Sequence, residues 1–215
     1  MINIPKGYAS TLNIRQTQVA IKKVKDFFER DIAIQLNLTR VSAPLFVAKE
    51  SGLNDNLNGF ERPVGFDING IAGEYEIVQS LAKWKRLALS SYGFAAGEGL
   101  YTDMNAIRRD EVTDNIHSVF VDQWDWEKII SKNERTKETL VEHVRTIFKV
   151  IKHMEHEVWY KYPQAVNHLP DDIFFITTQE LLDMYPNMNA KERENAITKE
   201  HGCVFVMQIG DKLSN

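Results

Sequence analysis

The chain has 215 residues, 43% hydrophobic and 26% charged, with a formal net charge of −4, a length and composition that suit one sizeable soluble domain or two small ones. That charge argues against a large nucleic-acid footprint, which needs Lys and Arg gathered on one surface. No stretch approaches the roughly 18 apolar residues of a membrane span, the polar start through Asn3 and Lys6 lacks the apolar core of a signal peptide, and the single cysteine, Cys203, excludes an internal disulfide, so the cytoplasm is the expected compartment.

From Gln16 to Leu36 the apolar Ile21, Val24, Phe28 and Ile32 recur at helical steps among Lys22, Lys23, Lys25, Glu29 and Arg30, which predicts an amphipathic helix. A strand follows over 38–47, interrupted by Pro44, which has no N–H for a ladder and so belongs at an edge or interface. Residues 51–59, rich in Asn, Asp and Gly, read as a loop carrying Asp55. Val64, Phe66 and Ile68, then Asn69-Gly70, then Tyr75, Ile77 and Val78 make a β-hairpin. Ser80 opens a helix over 81–90, and after Gly97-Glu98-Gly99 a strand runs over 100–107 into the loop headed by Arg108-Arg109-Asp110-Glu111.

The next strand is the most informative. His117-Ser118-Val119-Phe120-Val121 supplies β-branched and aromatic residues, and Asp122-Gln123-Trp124-Asp125-Trp126 continues it. Alternation of faces projects Gln123 and Asp125 together, about 6 to 7 Å apart, with Asp122, Trp124 and Trp126 on the other side. An acid beside an amide suits a small zwitterion, although a Trp-rich strand whose acids merely reach water reads the same way. A second long helix spans 136–160, a short strand 173–176, and Thr177 with Glu180, then Asn189 with Glu192, sign helix starts. Gly202 ends the last helix before a strand over 203–209. The order implies an α+β domain around a mainly antiparallel sheet.

Several constellations carry little. His153 and His156 share a helical face but lack the HExxH pattern and a third ligand at a fixed offset. Gly97-Glu98-Gly99 enters a strand, not a helix, and lacks the third glycine of a dinucleotide fingerprint. Cys203 sits in an apolar strand as a core residue. The run Lys83-Trp84-Lys85-Arg86 is a solvated helix face or a phosphate contact. Arg108, with Asp110 and Glu111 close behind, could present a planar fork to a phosphate while a nearby carboxylate meets an adenine amine or orients the loop; surface ion pairing is the other reading.

A long helix, a proline-bearing strand and a strand ending in Arg108-Arg109-Asp110-Glu111 resemble the first two signature motifs of class II aminoacyl-tRNA synthetase-like domains. More specifically, Asp55-Asn56-Leu57, the segments 80–86, 97–102 and 117–126, and Gln179-Glu180-Leu181-Leu182 resemble ammonia-dependent asparagine synthetase, the aspartate–ammonia ligase family, over nearly the whole chain from about Tyr8. The resemblance implies joining of aspartate, ATP and ammonia through a β-aspartyl-adenylate, with Mg²⁺, in a homodimer. It implies that Asp55, Ser80, Gln123 and Asp125 hold the amino acid, that Arg108 neutralises the α-phosphate with Lys85 as a further catalytic group, and that Glu111 and Ser118 lie by the nucleotide. Family members continue past Lys212-Leu213-Ser214-Asn215 into a third motif, so residues 1–215 are expected to be one catalytic-type domain lacking its C-terminal part. A non-catalytic binding or dimerisation module of the same fold is the competing reading. Aminoacylation of tRNA is disfavoured by charge and by the absence of an anticodon-binding domain.

Overall fold

The computed structural model describes residues 3–55, 57–164 and 169–210, so Asn56 and the terminal Lys212-Leu213-Ser214-Asn215 lie outside the described residues. Within the 215 residues expected to form one domain, the contacts group into two compact units, Met1–Ser10 with Glu29–Arg135, and Thr11–Phe28 with Thr136–Asn215. Helix α1, Ile14–Leu36, contributes to both. It starts two residues earlier than the periodicity suggests because Asn13 and Gln16 form reciprocal caps, Gln16 N donating to Asn13 Oδ1 at 2.9 Å and Asn13 N to Gln16 Oε1 at 3.0 Å.

The first unit carries two three-stranded sheets. In one, β5 (Gly99–Ile107) is central, paired in parallel with β1 (Leu38–Arg40) and antiparallel with β6 (Phe120–Lys128). In the other, β4 (Ile71–Ile77) lies between β2 (Phe46–Ala48) and β3 (Gly65–Ile68), both antiparallel to it. The hairpin is therefore as expected, turning at Gly70 with φ of 78°. The single proline-interrupted strand is not: residues 38–48 form β1 and β2 in different sheets, with Pro44 between them. A residue that cannot donate to a ladder sits where the chain leaves one sheet for the other. The strand expected from His117 begins instead at Phe120, because Asp114 Oδ1 accepts from Ile116 N and His117 N, both at 2.8 Å, and turns the preceding backbone into a loop.

Helix α2, Ala82–Ser91, packs its buried Ala88 and Leu89 on Leu100 of β5. Just before it, Val78 and Leu81 join Val47, Met104 and Ala106 in a cluster that links both sheets to the start of α2. Gly99 shows how closely the first sheet is built: an added Cβ would lie 2.5 Å from Glu127 O, 2.6 Å from Leu38 Cδ2 and 3.0 Å from Lys128 Cα. Two of those atoms are backbone and cannot swing away. Gly99→Ala is accordingly expected to destabilise the protein by about 2 to 3 kcal/mol, read as a lowered urea midpoint at unchanged slope; a midpoint equal to wild type would show that β1 and β6 can yield.

The second unit contains α3 (Lys137–Lys161), β7 (Phe174–Thr177), α4 (Thr178–Met184), α5 (Ala190–His201) and β8 (Val204–Met207), with β7 and β8 parallel. Both expected capping boxes form, Thr177 with Glu180 and Asn189 with Glu192. Ile176, Leu181 and Ile197 form one buried apolar cluster in it, and Cys203 is half-buried just ahead of β8. Among the described residues no helix is long and apolar enough to cross a membrane, and no group of three or more His, Cys, Asp or Glu could hold a metal ion.

Candidate active site

The eight site residues that the family resemblance implies, Asp55, Ser80, Lys85, Arg108, Glu111, Ser118, Gln123 and Asp125, all lie in the first unit. The β5–β6 ladder sets Thr102 opposite Asp125, Met104 opposite Gln123 and Ala106 opposite Val121. It extends one step further, Arg108 N donating to Val119 O at 2.8 Å. Cross-strand partners share a face and alternate residues share a face, so Asp125, Gln123 and Arg108 stand on one side of this ladder together with Thr102, Met104 and Ala106. That side is the buried one: Thr102, Met104 and Ala106 are at most 2% exposed. From Met104 to Arg108 is about 13 Å along the strand.

At the Asp125 end, α2 supplies Lys85, which is 4% exposed. Its ammonium donates to Asp125 Oδ1 at 2.5 Å and Trp126 O at 3.1 Å, and lies 3.3 Å from Glu127 Oε2. Arg86 Nε is 3.5 Å from Glu127 Oε1. The basic run is thus not uniformly a solvated face: Lys83 and Arg86 are exposed, but Lys85 turns inward and spends its three donors on β6. Gln123 donates from Nε2 to Met104 Sδ at 3.2 Å, a weak acceptor that leaves most of the amide's capacity uncommitted.

Asp55 and Ser80 flank Asn54 and Gln79, two buried residues that bond to each other. The buried Asn54 side chain accepts from Gln79 N at 2.8 Å and donates to Ile77 O at 3.2 Å and Glu76 Oε2 at 3.1 Å, and the Asn54 backbone carbonyl accepts from Lys83 Nζ at 3.3 Å. These bonds tie the loop bearing Asp55 to the end of β4 and the first turn of α2. Ser80 Oγ accepts from Ala82 N at 3.3 Å, at the helix entry. Sequence reasoning passed over Asn54 and Gln79. Gln79 is 1% exposed, and its Oε1 has no hydrogen-bond partner among the described residues; neither residue carries a local signal, because their importance comes from pairing across two dozen positions.

At the opposite end of the ladder, a cavity of about 630 Å³ is lined by Leu57, Asn58, Glu61, Arg108, Asp110, Glu111, Val112 and His117. Arg108 is one-third exposed in its side chain, with Glu111 Oε2 3.9 Å from Nη1. Its buried Nε has no hydrogen-bond partner among the described residues. Asp110 is bound to Arg62 by side chain and backbone, which hold its carboxyl down to about 2. His117 Nδ1 lies 2.8 Å from Asp114 Oδ1. Ser118 is exposed and lies beside this cavity in sequence without lining it; Gln123, Asp125, Asp55 and Ser80 do not line it either. Asp125 and Gln123 thus share a ladder face with Arg108, Lys85 of α2 reaches Asp125, and the loop bearing Asp55 is tied through Asn54 to the entry of α2, while Arg108, Asp110 and Glu111 wall the cavity at the far end.

The fold is that of the catalytic domain of class II aminoacyl-tRNA synthetases. Asparaginyl-tRNA synthetase of Entamoeba histolytica, in complex with asparaginyl-adenylate, superposes with a TM-score of 0.63 at 12% identity, over 93% of this chain and 45% of that one. The Pyrococcus horikoshii enzyme, also with asparaginyl-adenylate, gives a TM-score of 0.62 at 14% identity, over 89% and 45%.

Within that class the particular family is plain from sequence. The aspartate–ammonia ligase family matches residues 15–215. The aspartate–ammonia ligase of Lactiplantibacillus plantarum is 64% identical over 213 residues, which are 99% of this chain and 66% of that protein. That of Ruminiclostridium cellulolyticum is 63% identical over 212 residues, 98% of this chain and 63% of that protein. The chain belongs to the aspartate–ammonia ligase family, and it spans 63 to 66% of the length of these curated relatives.

Proposed function

We propose that this chain carries the aspartate-binding residues and the α-phosphate arginine of an AMP-forming ligase that makes asparagine from aspartate, ATP and ammonia. The observation that carries the reading is the shared ladder face of Asp125, Gln123 and Arg108, with an uncommitted guanidinium donor at the wall of a cavity. On this reading Asp125, Asp55, Gln123 and Ser80 receive the ammonium and carboxylate of aspartate. The side-chain carboxylate oxygen attacks the α-phosphorus of ATP and pyrophosphate leaves. Ammonia then attacks the activated carbonyl carbon, AMP departs, and the surplus proton goes to solvent.

Adenylation matters because ammonia cannot displace oxide from a free carboxylate. Arg108 supplies charge where the phosphorus becomes more negative, and a bidentate fork suits phosphate oxygens better than a point charge does. Lys85, whose donors are taken by β6, acts by holding Asp125 in place. Mg²⁺ fits as a companion of the ATP phosphates rather than as a resident of a protein cage, since it keeps waters and takes one or two carboxylates. Glu111, 3.9 Å from Arg108 in the cavity wall, is the carboxylate offered for it or for the adenine, and Ser118, next in sequence to the cavity residue His117, is the hydroxyl offered to the nucleotide. The same reading makes the protein a cytoplasmic homodimer acting on small molecules without nucleic acid or membrane, supported by the net charge of −4 and by the exposed Leu45 and Phe46 beside Pro44.

The test is product formation. Protein supplied with aspartate, ATP, Mg²⁺ and ammonium is expected to release asparagine, AMP and pyrophosphate in equal amounts, with none formed when aspartate is omitted. Release of ADP and phosphate instead would overturn the adenylate route, and binding of neither substrate in a calorimeter while the chain self-associates would turn the assignment toward a non-catalytic module.

A further inference from the structure

The loop that walls one side of the Arg108 cavity is cross-linked to the Arg108 turn from the other side. Arg62 donates to Asp110 three times: Nη2 to Oδ1 at 2.5 Å, Nε to Oδ2 at 3.0 Å and backbone N to Oδ2 at 2.8 Å. The neighbouring Arg109 returns a bond from Nη1 to Pro63 O at 3.3 Å. Asp110 lies in the turn closed by Glu111 N donating to Arg108 O at 3.1 Å. Ahead of Arg62, the loop is folded on itself: the Glu61 carboxylate accepts from Asn58 N and Nδ2, both at 3.0 Å, and from Phe60 N at 3.3 Å, with Gly59 at φ of 87°.

We propose that the Arg62–Asp110 pair is a brace that sets the orientation of the Arg108 guanidinium, which makes Arg62 a positioning residue for the nucleotide end of the site. The inference rests on the proposed role of Arg108 in adenylation. Its logic is a contrast between stability and placement. Arg62 is 68% exposed in its side chain, and an exposed ion pair contributes little to folding. Geometry is a different matter, because a guanidinium serving a phosphoryl transition state must be held to within a fraction of an ångström, and a misplacement of about 1 Å can cost about a hundredfold in rate. The ladder bond at Arg108 N fixes that residue's backbone on one side, and the turn ending in Asp110 is its other constraint.

The experiment compares wild type with Arg62→Gln and Arg62→Lys by two measures. In aspartate-dependent ATP–pyrophosphate exchange, Arg62→Gln is expected to lower kcat about tenfold or more while the melting temperature stays within about 2 °C, and Arg62→Lys, which keeps the charge but not the fork, to fall between. Amide hydrogen exchange at Glu111 is expected to speed up at least tenfold in Arg62→Gln. Wild-type kinetics and unchanged protection in Arg62→Gln overturn the proposal, as does a loss of activity matched by a large fall in melting temperature. A wild-type protein with no exchange activity counts against the reading of the site, and the amide comparison then still decides the brace: equal protection in both proteins overturns it.

Discussion

Arg108→Ala is expected to lower aspartate-dependent ATP–pyrophosphate exchange by about a thousandfold while leaving the unfolding midpoint within error of wild type. The argument starts from the uncommitted state of this side chain. It stands one-third exposed at the wall of a cavity, its nearest carboxylate oxygen is 3.9 Å away, and one buried donor has no partner among the described residues. A cation so placed contributes little to folding, and that donor is open to an anion. Arg108→Lys should recover only a small part of the rate, because an ammonium cannot meet two phosphate oxygens in one plane. Exchange within tenfold of wild type in Arg108→Ala would remove the residue from the chemistry.

The second large effect is on stability and stands apart from any reading of function. Lys85 is buried between Asp125 and Glu127, whose side chains are 22% and 29% exposed. Lys85→Met keeps the length of the side chain but leaves two neighbouring carboxylates without their shared cation, and Arg86, 72% exposed, reaches only Glu127. Removing one partner of a buried pair costs about 3 to 5 kcal/mol, and the partial exposure of the acids places the expected loss near 3. Urea unfolding measures it. Adding Asp125→Asn to Lys85→Met should return part of the loss, since the two sites are in contact and their effects cannot add. A single variant less than about 1 kcal/mol below wild type would mean that water or local rearrangement already screens the pair.

Much of the architecture was legible because it is set locally. The capping boxes at Thr177 and Asn189 depend on residues three apart, the hairpin on Asn69-Gly70, and the common side of Gln123 and Asp125 on strand alternation. The errors occur where local signals compete with distant partners. A β-branched run made His117 to Val119 look extended, yet Asp114 draws that backbone into a turn. Residues 38–47 look like one strand, yet β1 finds its partner in β5 and β2 in β4.

The sequence by itself determined the family, through long ordered segments at 80–86, 97–102 and 117–126, and it determined which side chains on β6 face the same way, because that follows from a period of two residues. Only the tertiary structure decided that Lys85 is buried against Asp125 forty positions away, that Asn54 joins the Asp55 loop to α2, and that Arg62 grips Asp110 across forty-eight positions. Charge pairs and buried amides have no periodicity; their partners are chosen by where packing of Val47, Val78, Leu81 and Met104 brings the two sheets.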